Sequence, residues 1–120
     1  MNSGAQPADT ERLLRDLYAA FNARQVDALL AAMTDDVDWP NVLQGTRAHG
    51  PAAVRAYWTA QFAAIDPHVE PVRIDTLGDT SVVQVHQVVR DLDGKVLADQ
   101  VVEHVYTMRD GLVARMDVRS

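Results

Sequence analysis

Apolar residues recur at steps of three and four along the first half of the chain, which is the spacing of amphipathic helices. The first series runs from Leu13 to Phe21 and predicts a helix over residues 10–23. A shorter series, Val26–Met33, predicts a second helix. A third helix is predicted to begin at Pro51, because proline is favoured in a first helical turn, and to end before Asp66.

The periodicity is lost between the second and third predicted helices. Val37–Trp39 has the pattern of a short strand, and Pro40 restricts it to a sheet edge because proline lacks an amide hydrogen. Residues 40–50 contain proline, asparagine and two glycines, and we predict a loop there. Loops of this kind often border a functional site.

From residue 69 the pattern changes to long, valine-rich segments typical of strands. Glycine–aspartate and aspartate–glycine pairs, which favour tight turns, separate them. The four predicted strands are Val69–Leu77, Ser81–Leu92, Lys95–Met108 and Leu112–Val118. Three helices followed by an antiparallel meander predict an α+β fold, with the helices on one face of a curved antiparallel sheet.

The turn at Asp93-Gly94 sets which residues share a face of this sheet. A two-residue turn predicts these pairs: Arg90 with Leu97, Val88 with Asp99, His86 with Val101, and Gln84 with Glu103. One face then carries Gln84, His86, Val88, Arg90, Asp99, Val101, Glu103, Val105 and Thr107. The other carries Val83, Val85, Gln87, Val89, Val102, His104 and Tyr106.

Neither face is purely polar, so we expect both to be covered. The helices can cover one face, and a second copy of the chain would cover the other. We place the first face in the interior. The prediction is therefore a homodimer that buries Val83, Val85, Val89, Val102 and Tyr106.

Gln84, His86 and Glu103 form the polar cluster that this pairing brings together. A histidine near a carboxylate can act as a general base or acid near neutral pH. The same three side chains can instead satisfy one another's hydrogen bonds in a polar part of the core.

A pocket for a ring-containing ligand could be lined by Trp39, Asn41, Tyr57 and Trp58. Core packing explains the aromatic residues equally well.

Composition narrows the function classes. Eleven basic against seventeen acidic residues give a net charge of -6, which disfavours nucleic acids and acidic membrane surfaces as partners. The chain has no cysteine and its four histidines lack ligand spacing, so we expect no metal and no cofactor. Without a signal-peptide pattern or a long apolar run, we expect a cytoplasmic protein, with a flexible tail over residues 1–9 and one domain over residues 10–120.

The order of elements, with the segments LLRDLYAAFNARQVDALLAAMTDDVDW, GTRAHGPAAVRAYW and VVEHVYTMRDGLVARMDV, resembles the nuclear transport factor 2-like superfamily. That superfamily includes ketosteroid isomerases, SnoaL-type polyketide cyclases, scytalone dehydratase and limonene epoxide hydrolase. The resemblance extends from Glu11 to Val118. It implies a cone in which a curved sheet wraps around the long helix and encloses a pocket, and dimerisation through the outer sheet face.

The resemblance also implies positions for catalytic groups. The tyrosine of the ketosteroid isomerases falls on Leu17 and their proton-shuttling aspartate on Asn41, so their mechanism is predicted to be lost. Their strand acid falls on Glu103. Epoxide hydrolysis in the superfamily needs an arginine where Val101 stands. His86 could supply the acid–base group of the SnoaL-type cyclases.

We therefore expect a pocket for a small, mostly apolar carbonyl compound, and an isomerase, cyclase or dehydratase reaction. The catalytic residues would be His86 and Glu103, with Glu103 as a neutral donor and His86 as the base, or with Glu103 as the base. The ligand-binding residues would be Tyr18, Trp39, Asn41, Tyr57, Trp58, Gln84 and Val101. The alternative is a binding or accessory dimerisation protein that performs no reaction.

Overall fold

Three helices lie in the described part of the first half of the chain, as predicted. A computed structural model describes residues 7–42 and 44–119. The helices are α1 (Pro7–Asn22), α2 (Val26–Ala31) and α3 (Pro51–Ala64). α1 begins three residues before its predicted start, and residues 1–6 of the predicted tail lie outside the described residues. None of the described helices is long and apolar enough to cross a membrane.

Within the described residues, six strands form one curved sheet that does not close into a barrel. They are β1 (Met33–Asn41), β2 (Thr46–His49), β3 (Asp66–Leu77), β4 (Thr80–Arg90), β5 (Val96–Arg109) and β6 (Leu112–Arg119). Their order is β2-β1-β6-β5-β4-β3, and all neighbours are antiparallel except β1 and β6. The α+β class and the four C-terminal strands are thus confirmed.

The region before α3 differs from its prediction. Residues 46–49 form β2 within the predicted loop, and β2 pairs with β1. β1 is therefore an interior strand, although Pro40 predicted an edge. Pro40 is accommodated because the pairing of β1 with β6 reaches only Asp38, which leaves that end of β1 with a neighbour on one side.

Arg47 on β2 joins three strands. Its guanidinium donates to the carboxylate of Asp38 on β1 at 2.7 Å and to that of Asp117 on β6 at 3.1 Å. It also donates to the backbone carbonyls of Asp38 at 3.0 Å and Met116 at 2.7 Å. This one side chain therefore fixes the short strand β2 against β1 and β6.

The turn between β4 and β5 is longer than predicted. The carboxylate of Asp91 accepts hydrogen bonds from the backbone amides of Asp93 and Lys95, both at 2.9 Å. These bonds close a five-residue turn over residues 91–95, so Arg90 pairs with Val96 and not with Leu97. The register of the pairing shifts between Val89 and Arg90. Further from the turn, the pairs are those predicted: Val88 with Asp99, His86 with Val101, and Gln84 with Glu103.

The two faces of the sheet are exchanged relative to the prediction. The inner face, which packs against the helices, carries Val83, Val85 and Tyr106, all with no exposed surface. Helices pack on the more apolar face of a sheet, because burying apolar surface stabilises the fold. Gln84, His86 and Glu103 lie on the opposite, outer face, so their predicted interior placement is wrong.

The predicted dimer contact is wrong for the same reason. Val83, Val85, Val102 and Tyr106 are buried in the chain's own core. Val89, on the same face, is half-buried. The four buried side chains are therefore not a free surface for a second copy.

The two edge strands of the sheet differ in length. β2 has four residues, whereas β3 has twelve and contains Pro67 and Pro71. A register shift interrupts the pairing of β3 with β4 between Pro71 and Arg73. At the other end of β3, the side-chain amide of Asn22 at the end of α1 donates to the carbonyl of Val69 and accepts from its amide, at 2.8 and 2.9 Å.

Candidate functional site

A small cavity lies between α1, α3 and the inner face of the sheet. Its volume is about 70 Å³. Its walls are mainly aromatic and aliphatic, and no Asp, Glu, Lys or Arg is among the described residues that line it. They are Leu17, Tyr18, Phe21, Trp39, Pro40, Val42, Tyr57, Trp58, Gln61, Val69, Gln87, His104, Tyr106, Met116 and Val118.

A chain of three hydrogen-bonded side chains lies in this wall. Tyr106 on β5 donates its hydroxyl proton to the Tyr18 oxygen at 2.8 Å. The Tyr18 oxygen is also 2.8 Å from Nδ1 of His104. His104 and Tyr106 are two residues apart on one strand, so both point to the inner face, where α1 presents Tyr18.

All three groups are uncharged at neutral pH. Burial lowers the pKa of His104 from 6.5 to about 4, because the charged imidazolium would lose its hydration. Burial likewise raises the pKa of Tyr18 and of Tyr106 above the ordinary value of a phenol. The site is therefore a set of neutral proton donors and acceptors in an apolar surrounding.

The second ring nitrogen of His104, Nε2, takes no part in the contact with Tyr18. It forms no hydrogen bond within the described part of the chain, where every fully enclosed side-chain nitrogen or oxygen has a partner. Nε2 therefore has exposed surface, and His104 lines the cavity. Depending on the tautomer, Nε2 can accept a proton from a bound molecule or donate one to it.

A second polar pair lies on α3. The amide nitrogen of Gln61 donates to the hydroxyl oxygen of Tyr57 at 3.1 Å, one helical turn away. Burial raises the pKa of Tyr57, so this phenol is also neutral. Both residues line the cavity and supply further hydrogen-bonding groups for an uncharged ligand.

Aromatic rings form the remaining wall. The rings of Trp39 and Trp58 meet edge to face, with centroids 5.2 Å apart. Trp39 also lies 6.2 Å from Tyr106, and Phe21 lies 6.4 Å from Trp58. Interlocked rings of this kind form a rigid, flat-sided surface.

Four residues predicted from the sequence to bind ligand, Tyr18, Trp39, Tyr57 and Trp58, are at the cavity. Asn41 is half-buried outside the lining, and its side-chain oxygen accepts from the backbone amide of Gln44 at 3.1 Å. Leu17, on which the resemblance places the tyrosine of the ketosteroid isomerases, also lines the cavity, and the next residue, Tyr18, supplies a phenol to it.

His86, Glu103, Gln84 and Val101 are not at the cavity. On the outer face, Nε2 of His86 is 2.6 Å from the carboxylate of Asp99, and Glu103 is 3.0 Å from Arg119. The predicted pocket placement of His86 and Glu103 is wrong because successive strand residues point to opposite faces. The histidine that lines the cavity is instead His104, the residue after Glu103.

Sequence reasoning missed His104, Tyr106 and Gln61 as site residues. The predicted pairing did place His104 and Tyr106 on one face with Val83 and Val85. The signal that this face is the inner one is its lack of Asp, Glu, Lys and Arg, whereas the other face carries Arg90, Asp99 and Glu103. Among the described residues, no group of three or more His, Asp or Glu side chains could hold a metal ion.

The sequence was compared with known protein families. The sequence profile of the SnoaL-like domain matches residues 14–116. This range includes Tyr18, His104 and Tyr106 of the hydrogen-bonded chain. A comparison with curated proteins found no match.

Solved structures share the fold. An NTF2-like protein of unknown function from Burkholderia pseudomallei is 23% identical, with a TM-score of 0.83 over 92% of this chain and 89% of that chain. TerC, co-crystallized with polyporic acid, is 26% identical, with a TM-score of 0.81 over 92% and 89%. A protein proposed to be a polyketide cyclase, from Sinorhizobium meliloti, is 21% identical, with a TM-score of 0.78 over 90% and 94%.

Proposed function

The chain belongs to the SnoaL-like domain family, and from its pocket we propose that it binds a small, uncharged, mostly apolar carbonyl compound and moves a proton on it without a cofactor. The reaction class is an isomerase, cyclase or dehydratase reaction. The observation that carries the proposal is the chain of Tyr106, Tyr18 and His104 in the wall of an otherwise apolar cavity.

The lining supports an uncharged ligand. A carboxylate or ammonium group would enter an apolar space without a partner of opposite charge, which is strongly unfavourable. The cavity of about 70 Å³ is also smaller than the roughly 300–1,000 Å³ of pockets for drug-sized ligands. The preferred ligand is therefore a small ring or chain. The structure of TerC with polyporic acid supports an organic ligand for this fold.

The proton transfer follows from one tautomer of His104. With its proton on Nδ1, the imidazole donates to the Tyr18 oxygen, which also accepts from Tyr106. The Tyr18 proton is then free to bind the carbonyl oxygen of a ligand. Nε2 presents a lone pair that can remove a proton from the neighbouring carbon.

The resulting enolate oxygen is stabilised by a hydrogen bond that the neutral Tyr18 hydroxyl donates to it. Nε2 returns the proton to another carbon in an isomerisation, or to a departing hydroxyl group in a dehydration. No electrons are gained or lost by the protein, so the step needs no redox partner. General acid–base assistance of this kind contributes about 100- to 10,000-fold.

A binding protein without a reaction is the second candidate. It is favoured by the absence of a carboxylate among the described lining residues and by the low pKa of His104, about 4, which makes it a weak base at neutral pH. In that case the same donors and acceptors hold the ligand oxygen, and no bond to hydrogen is broken.

The experiment measures proton removal directly. Cyclohexanone is incubated with the protein in D₂O, and NMR follows the exchange of the hydrogens beside the carbonyl for deuterium. We expect the wild type to accelerate exchange, and His104→Gln to lower the acceleration by at least about 100-fold, because an amide cannot act as a base. The matched control is His68→Ala, which removes an exposed histidine that pairs with Glu70 at 2.7 Å.

His86→Ala distinguishes the two candidate bases. A loss of exchange in His86→Ala with none in His104→Gln would contradict the site described above. Binding of cyclohexanone without accelerated exchange would support the second candidate. The pH profile is a further readout, since a base with a pKa of about 4 predicts a rate that is constant from pH 7 to 5 and falls near pH 4.

We also propose that two copies pair through the outer face. This face carries Val82, Val88, Val101 and Val105, and Val101 is 55% exposed. Exposed apolar residues grouped on a sheet favour burial against a partner. A second copy presents the same valines, so a symmetric pair would cover both sets.

A further inference from the structure

Leu17 separates the cavity from a second, larger space. This second space, the helix groove, lies between α1 and α2 and has a volume of about 400 Å³. It is lined by Asp9, Arg12, Leu13, Asp16, Leu17, Ala20, Ala28, Ala31 and Ala32. Within the described residues, Leu17 is the one residue that lines both the cavity and the helix groove.

The position of Leu17 on α1 explains this double contact. Tyr18 and Phe21 line the cavity, whereas Leu13 and Ala20 line the helix groove. Leu17 lies between these two sides of the helix, one turn after Leu13. It is only 5% exposed, so its side chain fills the space between the two.

Most of the other apolar side chains that line the helix groove are too short to take the place of Leu17 as a boundary of the cavity. Four of its lining residues are alanines, whose side chains end at Cβ. Shortening the Leu17 side chain would therefore connect the cavity with the helix groove, because the alanines do not fill the space that Leu17 would leave. The charged residues Asp9, Arg12 and Asp16 also line the groove.

We propose that Leu17 determines ligand specificity, by ending the cavity and so limiting the length of the ligand. The proposal rests on the proposed function, because it concerns the ligand of the same pocket. In the wild type, the ligand is a compact carbonyl compound. An unbranched apolar tail of several carbons is excluded by the Leu17 side chain and would otherwise extend into the helix groove.

The test uses a series of neutral ketones with tails of increasing length: acetophenone, butyrophenone and hexanophenone. Binding is followed by tryptophan fluorescence, since both tryptophans of the chain, Trp39 and Trp58, line the cavity. Wild type should bind acetophenone most tightly. Leu17→Ala should reverse this order and bind hexanophenone at least about tenfold more tightly than wild type does, because each buried methylene contributes roughly fourfold.

Leu13→Ala is the matched control. It makes the same substitution one helical turn away, in the lining of the helix groove but not of the cavity. It should keep the wild-type order of affinities. Leu17→Val removes less of the side chain and should shift the order in the same direction by a smaller factor, even if Leu17→Ala folds poorly.

The outcomes separate the two proposals. If acetophenone binds but neither Leu17 variant changes the order of affinities, the role of Leu17 is wrong and the proposed ligand class stands. An equal shift in Leu13→Ala would also overturn the role of Leu17, because it would indicate general loosening of α1. If no ketone binds to any of the proteins, both proposals are wrong.

Discussion

His104 is a buried base without a charged partner. Most buried ionisable groups are paired with an opposite charge, but the described residues around this cavity include no carboxylate. The imidazole is held instead by a phenol, Tyr18, which is itself held by Tyr106. A neutral network of this kind keeps the pocket apolar and still leaves one nitrogen for chemistry.

The buried imidazole predicts a loss of stability in acid. Between pH 6.5 and pH 4 the unfolded chain binds a proton on this histidine that the folded chain does not, so the free energy of unfolding decreases as the pH falls through this window. From pH 7 to pH 4 wild type should lose about 3 kcal/mol more than His104→Gln. Urea unfolding of both proteins at the two pH values measures the difference, and equal losses would contradict the prediction.

The sequence predicted the members of the site only in part. Strand pairing placed His104 and Tyr106 together, because pairing depends on local turn chemistry and alternation. Which face points inward depends instead on where the helices pack, and that is a long-range property. Glu103 and His104 illustrate the consequence. They are neighbours in the chain, but Glu103 forms an ion pair on the outer face, whereas His104 lines the cavity.

At the scale of elements, the shortest strand depends on a single side chain. β2 buries only Ala48, so apolar packing contributes little to its position. Arg47 supplies four hydrogen bonds to β1 and β6 instead. The entry of the chain into α3, and thus the place of Tyr57 and Trp58, follows directly from this strand.

Arg47→Ala should lower the free energy of unfolding by about 2 kcal/mol, because the lost bonds involve a charged group that is about three-quarters buried. Arg47→Lys should recover little of this, since one ammonium cannot reach acceptors on two strands at once. The control is Arg73→Ala, an exposed arginine that pairs with Asp75, with an expected change below about 0.5 kcal/mol. Urea unfolding measures all three, and similar values for Arg47→Ala and Arg73→Ala would refute the role of Arg47.

Elements with strong local signals were predictable and β2 was not. The helices and hairpins have apolar periodicity or turn dipeptides within their own residues. β2 has neither, because it is short and buries only Ala48, and the contacts of Arg47 with β6 reach a strand far along the chain. The turn at residues 91–95 was mispredicted because the Asp91 side chain, rather than the Asp-Gly pair alone, determines its length.

At the scale of the whole molecule, the two faces of the curved sheet have different surroundings. The inner face is covered by the chain's own helices. The outer face combines valines with ion pairs such as His86 with Asp99 and Glu103 with Arg119. The predicted class of fold was correct because it depends only on the order of elements. The predicted dimer residues were wrong because they depend on which face of the sheet packs against the helices.

Val101→Asp should convert the proposed dimer to a monomer, since the three remaining half-buried valines of the face would then surround a buried charge. Sedimentation velocity at micromolar concentration measures the change. Leu77→Asp, at the tip of the β3–β4 turn and 86% exposed, is the control and should remain dimeric. A monomeric wild type would contradict the proposed pairing.

The prolines of β3 have a consequence for how molecules meet in concentrated solution. An open sheet has free edges, and a free edge can recruit strands from other molecules into growing fibrils. Pro67 and Pro71 lack the amide hydrogens that such recruitment needs, and the irregularity next to Pro71 interrupts a flat docking edge. At the opposite edge β2 offers only four residues. These features disfavour fibril growth from either border of the sheet and leave its broad outer surface for the proposed pairing of two copies.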